Sequence, residues 1–165
     1  MCTPNRSCFR PAASRLSRLG AASLLTAAAV SVPALLPGTA QRADAATLAA
    51  KALSIAASKK GAPYQWGATG PYRFDCSGLT QYSFKRAGKK LPRTAAAQYN
   101  RTTHIAAHSR RAGDLVFFHT GSSGASVYHV GIYAGAGNIW HAPKTGASVR
   151  LEHIWSRAVW YGRVT

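Results

Sequence analysis

One cysteine and two histidines of this chain have the side chains that thiol chemistry needs. Cys76 follows a loop rich in glycine and proline and opens a segment with helical spacing, so we expect it at a helix N-terminus. There the helix dipole and free backbone N–H groups favour negative charge, which lowers the pKa of a thiol. Cys76 is therefore a candidate nucleophile, and the plain alternative is a small buried cysteine that only fills the core.

A thiol nucleophile needs a base, and His129 and His141 lie on two segments that we expect to form a hairpin. If its loop has the three residues 135–137, Ala134 pairs with Asn138 and both imidazoles lie on one face of the sheet. A loop with an even number of residues would separate them. If the cysteine's helix packs on the shared face, thiol, base and orienting group line up.

The predicted elements that position these side chains are helices first and antiparallel strands afterwards. Asp75 and Thr94 have the side chains of helix N-caps, and Gly88 is a plausible C-terminal stop. This order predicts an α+β fold in which N-terminal helices pack on an antiparallel sheet of about five to six strands. The expected helices are Thr47 to Gly61, Cys76 to Ala87 and Thr94 to Tyr99, and the expected strands are Asp114 to Phe118, Val127 to Tyr133, Asn138 to Ala142, Ala147 to Leu151 and Ala158 to Val164.

Residues 1–45 have the pattern of a secretory signal peptide, which leaves 46–165 as a single domain. Four arginines precede an apolar run rich in alanine and leucine, and a small-x-small site follows it. We expect cleavage after Ala45, with Ala40 as the alternative. A transmembrane anchor is the competing interpretation. It is disfavoured because prolines interrupt the run, which is short for a bilayer span of ~20 residues, so we expect no stable membrane span after processing.

Removal of this segment changes both the cysteine count and the charge. Cys2 and Cys8 leave with it, so Cys76 is the one cysteine of the predicted mature chain and an internal disulfide drops out. The whole chain has a formal net charge of +17, and the five arginines and one aspartate of residues 1–45 leave +13. Such a charge favours anionic cell-wall polymers as partners. No nucleic-acid-binding motif accompanies it, so no specific nucleic acid is expected.

Metal and carboxylate chemistries are the other possibilities that the residues allow. His104 and His108 are four residues apart, but no glutamate completes the zinc-peptidase pattern H-E-x-x-H. A zinc site of one cysteine and two histidines is chemically possible. The predicted mature chain has only three acids, Asp75, Asp114 and Glu152, which supports a carboxylate mechanism poorly. We therefore predict no metal and no cofactor.

Six short segments, in this order, resemble the NlpC family of bacterial cell-wall cysteine peptidases. They are Y-x-W-G, F-D-C-S-G-L, L-P-R-T, G-D-L-V-F-F, H-V-G-I-Y and H-A-P, from Tyr64 to Pro143. F-D-C-S-G and H-V-G-I-Y are the specific pair. One departure is Ala68, where the family often has a second glycine after Trp66-Gly67, and this bears on loop shape more than on chemistry.

The resemblance implies a papain-like fold and assigns roles to the matching residues. Cys76 would be the nucleophile, His129 the base and His141 the residue that orients it. Tyr64 matches a position near the oxyanion or the substrate, and Asp75 and Ser77 match positions that shape substrate binding. No metal ligand is implied.

The activity that the resemblance implies is hydrolysis of peptide bonds in peptidoglycan stem peptides, often the link between D-glutamate and a diamino acid. The protein would then be secreted and act outside the cell or at the cell wall. Two alternatives stay open. One is a peptidoglycan amidase or acyltransferase that uses the same cysteine and histidines, and the other is a wall-binding module without catalysis.

Overall fold

The computed structural model describes the backbone of residues 37–165 and the side chains from residue 43 onward. Its sheet has the strand order β1-β6-β2-β3-β4-β5, with every neighbouring pair antiparallel. The α+β prediction is confirmed. Residues 1–36 of the predicted signal peptide lie outside the described residues. The elements are α1 Pro37–Ala57, α2 Cys76–Ala87, α3 Ala95–Arg101, β1 Thr103–Ile105, β2 Leu115–His119, β3 Val127–Gly135, β4 Asn138–His141, β5 Arg150–His153 and β6 Val159–Arg163.

Helix α1 starts earlier than the sequence indicated. We expected Thr47 to cap it, but the helix begins at Pro37 and runs through Ala45. Thr47 lies inside the helix, where its hydroxyl donates to the carbonyl oxygen of Ala43 over 2.9 Å. The expectation was wrong because a threonine can bond back to the preceding turn as well as cap a helix, and proline is well tolerated at a first helical position.

Helix α2 has the predicted bounds, and both of its predicted caps are present. The Asp75 carboxylate accepts a hydrogen bond from the backbone N–H of Gly78 over 2.7 Å. Gly88 ends the helix in the left-handed conformation, with φ of 116°, and its N–H donates to the carbonyl oxygens of Phe84 and Lys85 in the last turn. Thr94 likewise caps α3 by accepting from the N–H of Ala97. Local signals at the helix ends thus fix where Cys76 lies.

The sheet has a different apolar cluster on each face. The helices pack on one face, which we call the helix face, and successive residues of β3 alternate between the two faces. The helix face buries Ala52, Ala56, Leu79, Phe84, Leu115, Phe117, Val130 and Ile132. The opposite face buries Val116, Phe118, Tyr133, Ile139 and Tyr161.

The β3–β4 hairpin differs from the predicted one in its turn but has the same register further along. Gly135, not Ala134, pairs with Asn138, so the loop has two residues rather than three. A bulge between Tyr133 and Gly135 then shifts the register by one, and Tyr133 pairs with Ile139 as the three-residue loop would have required. The even loop alone would have separated the two histidines, and the bulge returns them to one face.

Within residues 37–165, no helix combines the length and the apolar composition that crossing a membrane requires.

Candidate active site

Cys76 is the first residue of α2, and its thiol is free and partly exposed. Burial raises the pKa of this thiol, and the negative charge of Asp75 beside it acts in the same direction. Backbone groups of Ser77 and Val130 near the sulfur oppose the rise. The expectation that the helix start lowers the thiol pKa is therefore wrong, because the capping carboxylate brings a negative charge to the same place. A protonated resting thiol needs a base.

Asp75 joins the cysteine's helix to two other parts of the chain. One carboxylate oxygen accepts from the N–H of Gly78, and the other accepts from the N–H of Gly67 over 2.9 Å. The Arg93 guanidinium pairs with both oxygens and also donates to the Ser77 hydroxyl over 2.9 Å. Asp75 and Ser77 are both buried. Their observed contacts are internal and hold the loop before Cys76, so a role in substrate binding stays a prediction.

Arg93 was not singled out as a functional residue, although L-P-R-T was one of the matching segments. It lies in the turn before α3 and is the cation that neutralises the buried Asp75. A buried carboxylate must be paired or hydrogen-bonded, and this requirement was the signal available in the sequence. Which of the many lysines and arginines supplies the pair depends on tertiary structure.

Tyr64 lies beside the cysteine, as its motif suggested. Burial raises the pKa of the Tyr64 phenol, and the neighbouring Cys76 and Asp75 groups add to the rise. Its backbone N–H donates to the carbonyl oxygen of Ala147, and it forms a bridge with Phe74. The phenol is therefore held near the thiol by backbone contacts on both sides.

Gly78 explains why the cysteine segment contains a glycine. A Cβ at this position would lie 2.1 Å from the carbonyl oxygen of Ala68, which is a backbone atom and cannot rotate away. The same Ala68 carbonyl accepts from the N–H of Asp75 over 3.0 Å. The loop before Cys76 thus crosses the first turn of α2 at a distance that only glycine permits.

His129 and His141 share one face of the sheet, as predicted. Nε2 of His129 lies 2.9 Å from Nδ1 of His141, and the two rings are nearly perpendicular. Burial lowers the pKa of His129 to about 3, with His141 acting in the same direction and Glu152 opposing it. Burial also lowers the pKa of His141, against the effect of Glu152. Both rings are therefore neutral near pH 7.

The second ring nitrogen of His129 is open. Nδ1 makes no hydrogen bond to any of the described residues. It is also not among the described polar atoms that are both buried and without a partner, so it is accessible to solvent. An imidazole nitrogen that reaches solvent while the other is fixed by a partner has the arrangement of a general base. Phe118 and Trp155 flank the ring and limit its movement.

Cys76 and the histidines approach β3 from different directions. Val130 points to the helix face, whereas His129 pairs with Phe118 and points to the opposite face. Helix α2 therefore does not cover the face that the two imidazoles share, although the sequence argument had required it to pack there. Cys76 makes no hydrogen bond to His129 among the described residues.

The thiol instead meets β3 at its edge. The Tyr133 N–H donates to the carbonyl oxygen of Asp114, the residue before β2, so the backbone groups of Tyr133 point toward β2. Backbone groups of successive strand residues point to opposite sides, so those of Val130, three residues earlier, point toward β4. The β3–β4 pairing runs no further than Ile132 with Trp140, so β4 leaves the Val130 edge open. Cys76 lies near this backbone, one residue from His129. The site is thus located where β3 and β4 diverge.

Glu152 extends the histidine pair, and the sequence argument had set it aside. Its Oε2 lies 3.0 Å from Nε2 of His141 and accepts from Nε and a terminal nitrogen of Arg150, each at 2.7 Å. The predicted strand stopped at Leu151, whereas β5 continues to His153. Because Glu152 pairs with Ile139, two residues before His141, the carboxylate lies on the histidine face.

Comparison with known proteins places this site in a family. The sequence profile of the NlpC/P60 family matches residues 61–164. The chain belongs to the NlpC/P60 family. A probable endopeptidase of Corynebacterium glutamicum is 43% identical over 122 residues, which cover 74% of this chain and 54% of that protein. The bifunctional muramidase/DL-endopeptidase CwlT of Bacillus subtilis is 47% identical over 88 residues, covering 53% of this chain and 27% of CwlT.

Solved NlpC/P60 structures have the same fold. The P60 domain of an antigen from M. avium subspecies paratuberculosis superposes with a TM-score of 0.64 at 29% identity, covering 72% of this chain and 96% of that domain. The peptidoglycan hydrolase RipB of Mycobacterium tuberculosis gives 0.64 at 27% identity, covering 78% of this chain and 71% of RipB. The papain-like fold is confirmed. The chain spans about half the length of the curated Corynebacterium relative that it matches.

No group of three or more histidine, cysteine, aspartate or glutamate side chains arranged to hold a metal ion occurs in residues 37–165.

Proposed function

We propose that this protein is a cysteine endopeptidase that hydrolyses peptide bonds in peptidoglycan stem peptides. The observation that supports this best is the neutral, hydrogen-bonded His129–His141 pair, in which His129 keeps one open nitrogen. Cys76 approaches the backbone of Val130, the residue after His129. Relatives are named endopeptidases, and one solved relative is named a peptidoglycan hydrolase. CwlT is named a DL-endopeptidase, which supports the D-glutamyl–diamino acid link as the bond cleaved.

In the proposed mechanism, Nδ1 of His129 accepts the proton of the Cys76 thiol. The thiolate then attacks the scissile carbonyl carbon, a C–S bond forms, and the carbonyl oxygen becomes an oxyanion. When the oxyanion collapses, the C–N bond breaks and the imidazolium of His129 returns its proton to the leaving amine. Water, deprotonated by His129, hydrolyses the thioester and regenerates the thiol.

Oxyanion stabilisation would come from the start of α2 and from Tyr64. The first-turn N–H groups of a helix have no intrahelical acceptor, and Asp75 already occupies the N–H of Gly78. The N–H groups of Cys76 and Ser77 are the remaining ones beside the sulfur. Donors fixed before the reaction stabilise the charge that develops on the carbonyl oxygen.

Secretion and wall association belong to the same proposal. The N-terminal pattern of residues 1–45 supports export, and the charge of the remaining chain supports binding to anionic wall polymers. No DNA- or RNA-recognition role is proposed. The substrate would then lie in the compartment that the protein enters.

Digestion of defined muropeptides tests the proposal. The wild-type protein, Cys76→Ala and the matched surface control Ser122→Ala would be incubated with purified peptidoglycan and with stem peptides, and the products identified by mass spectrometry. We expect cleavage after D-glutamate by wild type and Ser122→Ala, and none by Cys76→Ala. Cleavage between muramic acid and L-alanine would indicate an amidase instead, and activity in Cys76→Ala would overturn the proposal. Binding to walls without cleavage by any of the three would indicate a non-catalytic module.

A further inference from the structure

Three side chains form a line from the edge of the sheet to the open nitrogen of His129. Glu152 Oε2 lies 3.0 Å from His141 Nε2, and His141 Nδ1 lies 2.9 Å from His129 Nε2. Glu152 is half-exposed, whereas His141 is almost completely buried and His129 nearly so. The line therefore starts at a carboxylate near solvent and ends at His129, the residue before Val130, whose backbone Cys76 approaches.

The chemistry of the three groups determines where each proton lies. An ionised carboxylate only accepts hydrogen bonds, so His141 must donate from Nε2. A neutral imidazole carries one N–H, so Nδ1 of His141 is then an acceptor, and His129 must donate to it from Nε2. His129 in turn has its one N–H on Nε2, and its Nδ1 holds a lone pair.

We propose that Glu152 is a positioning residue that sets this direction and thereby makes Nδ1 of His129 the base nitrogen. The inference rests on the proposed function for its catalytic consequence, but the tautomers it specifies exist in the resting protein. A histidine pair alone has no such preference. Without an acceptor at its far end, His141 could equally carry its proton on Nδ1 and accept nothing from His129.

Arg150 holds the carboxylate in its accepting state. It lies two residues before Glu152 on β5, so both side chains are on one face of the strand. Hydrogen bonding from Arg150 is the main cause that lowers the pKa of Glu152, and His141 adds to it. Because the pKa of Glu152 is lowered from its ordinary value of 4.5, the carboxylate is ionised at neutral pH.

The same line supports the charge that appears during catalysis. When His129 accepts the thiol proton, a positive charge forms inside a buried site. The negative charge of Glu152 raises the pKa of His129. His141 lies between them and is hydrogen-bonded to both Glu152 and His129. A neutral orienting residue alone would stabilise the imidazolium less, and the carboxylate behind it supplies what the histidine lacks.

Nitrogen-15 NMR of histidine side chains tests the proton positions without reference to activity. The full chain would be labelled at histidine, with His129→Gln and His141→Gln variants used to assign the signals. At neutral pH we expect both rings as the tautomer with the proton on Nε2. In Glu152→Gln, whose amide both donates and accepts, we expect mixed or reversed tautomers at both rings. Wild-type signals with the proton on Nδ1 of either ring would overturn the inference, as would unchanged tautomers in Glu152→Gln.

Kinetics on a soluble stem peptide provides the second readout. We expect Glu152→Gln to lower kcat about tenfold, with KM within about twofold of wild type, because a residue that acts through His141 should contribute less than the ~10²–10⁴-fold typical of the base itself. Leu151→Ala, an exposed neighbour on the other face of β5, is the matched control and should behave as wild type. Thermal unfolding of both variants checks that the fold is intact. Unchanged kcat in Glu152→Gln, with Cys76→Ala inactive, would contradict this inference alone, whereas an active Cys76→Ala would overturn the proposed function.

Discussion

His141 Nδ1 on β4 lies 2.9 Å from His129 Nε2 on β3, and a bulge in β3 beside the turn sets the register between these two strands. This contact leaves His129 with a single open nitrogen, and burial lowers the pKa of both rings, so both are neutral near pH 7. A neutral imidazole with one nitrogen fixed by a partner and the other open is suited to accept one proton per reaction cycle. The geometry of the pair therefore leads to predictions on activity, stability and thiol reactivity.

Replacement of His141 by alanine should lower kcat by about a hundredfold without abolishing cleavage. The ring of His129 would lose the acceptor for its Nε2 proton, so both its tautomer and its orientation would be free to change. Initial rates on a stem peptide measure the effect, and His153→Ala, an exposed histidine at the end of β5, is the control. Full activity of His141→Ala would remove this residue from the site.

Protein stability should fall as the pH drops from about 6.5 toward 3. The folded-state pKa of His129 is about 3, below its ordinary value of 6.5, so its stabilising effect is complete above pH 6.5 and is lost as the pH falls toward 3. Between pH 7 and pH 4.5 the free energy of unfolding should decrease by roughly 2–3 kcal/mol. Denaturant titrations measure this slope. His129→Gln should flatten it and the exposed His108→Gln should not, so equal slopes in the two variants would contradict the assignment.

Replacement of Asp75 by asparagine should make the Cys76 thiol more reactive. The Asp75 charge raises the pKa of the thiol, so removing it should lower that pKa and speed alkylation at neutral pH. Asparagine still caps α2 but loses the charged pair with Arg93, and we expect a stability loss of about 1–2 kcal/mol. Iodoacetamide labelling, followed on the Cys76 peptide by mass spectrometry, gives the rate.

Asp114→Asn is the matched control for this thiol experiment. Asp114 is also a buried acid paired with an arginine, Arg163, but it lies before β2 rather than at the cysteine. It should lose comparable stability and leave the alkylation rate of Cys76 unchanged. If both variants accelerate labelling equally, general loosening of the fold and not the local charge controls the thiol.

The parts of the fold that the sequence predicted well are those set by local signals. Helix α2 was bounded by Asp75 and Gly88, which act on their own backbone neighbours, and the structure has the same limits. Strand β1 was missed because it has three residues, two of them exposed, and so no apolar alternation. The two histidines reached one face for a reason that the sequence argument did not contain, a bulge that offsets a shorter loop.

The site was predictable only as far as its residue types were. Cys76, His129 and His141 are conspicuous by their chemistry, whereas Glu152 and Arg93 are ordinary charged residues until tertiary structure brings them to His141 and Asp75. The predicted direction of the pKa shift of the Cys76 thiol was wrong for the same reason. A helix start lowers a thiol pKa in isolation, but burial and a capping carboxylate outweigh it here.

Release of the protein from cell walls should increase with salt. The formal charge of +13 beyond residue 45 is spread over the chain, and its attraction to anionic polymers is screened as the Debye length falls from ~10 Å at 0.1 M to ~3 Å at 1 M. Sedimentation of Cys76→Ala with purified walls across this range measures it without digestion. Walls stripped of anionic polymers are the control and should bind much less at every salt concentration. Salt-independent binding would indicate recognition by contacts other than charge.

Replacement of Gly131 by alanine should impair catalysis more than stability. A Cβ at Gly131 would lie 3.2 Å from Cβ of His141 and 2.8 Å from Cδ1 of Ile139, so the methyl group presses on β4 at the histidine. Overpacking of this kind costs about 1–3 kcal/mol, and displacement of His141 would weaken its 2.9 Å bond to His129. We expect kcat on a stem peptide to fall at least tenfold while the protein remains folded, since positioning errors of an ångström are costly in catalysis. Gly121→Ala, which adds a methyl group 3.3 Å from Ser126 in an exposed loop, is the control and should keep wild-type kcat. Equal activities of the two variants would show that the close approach of β3 to His141 does not position the ring.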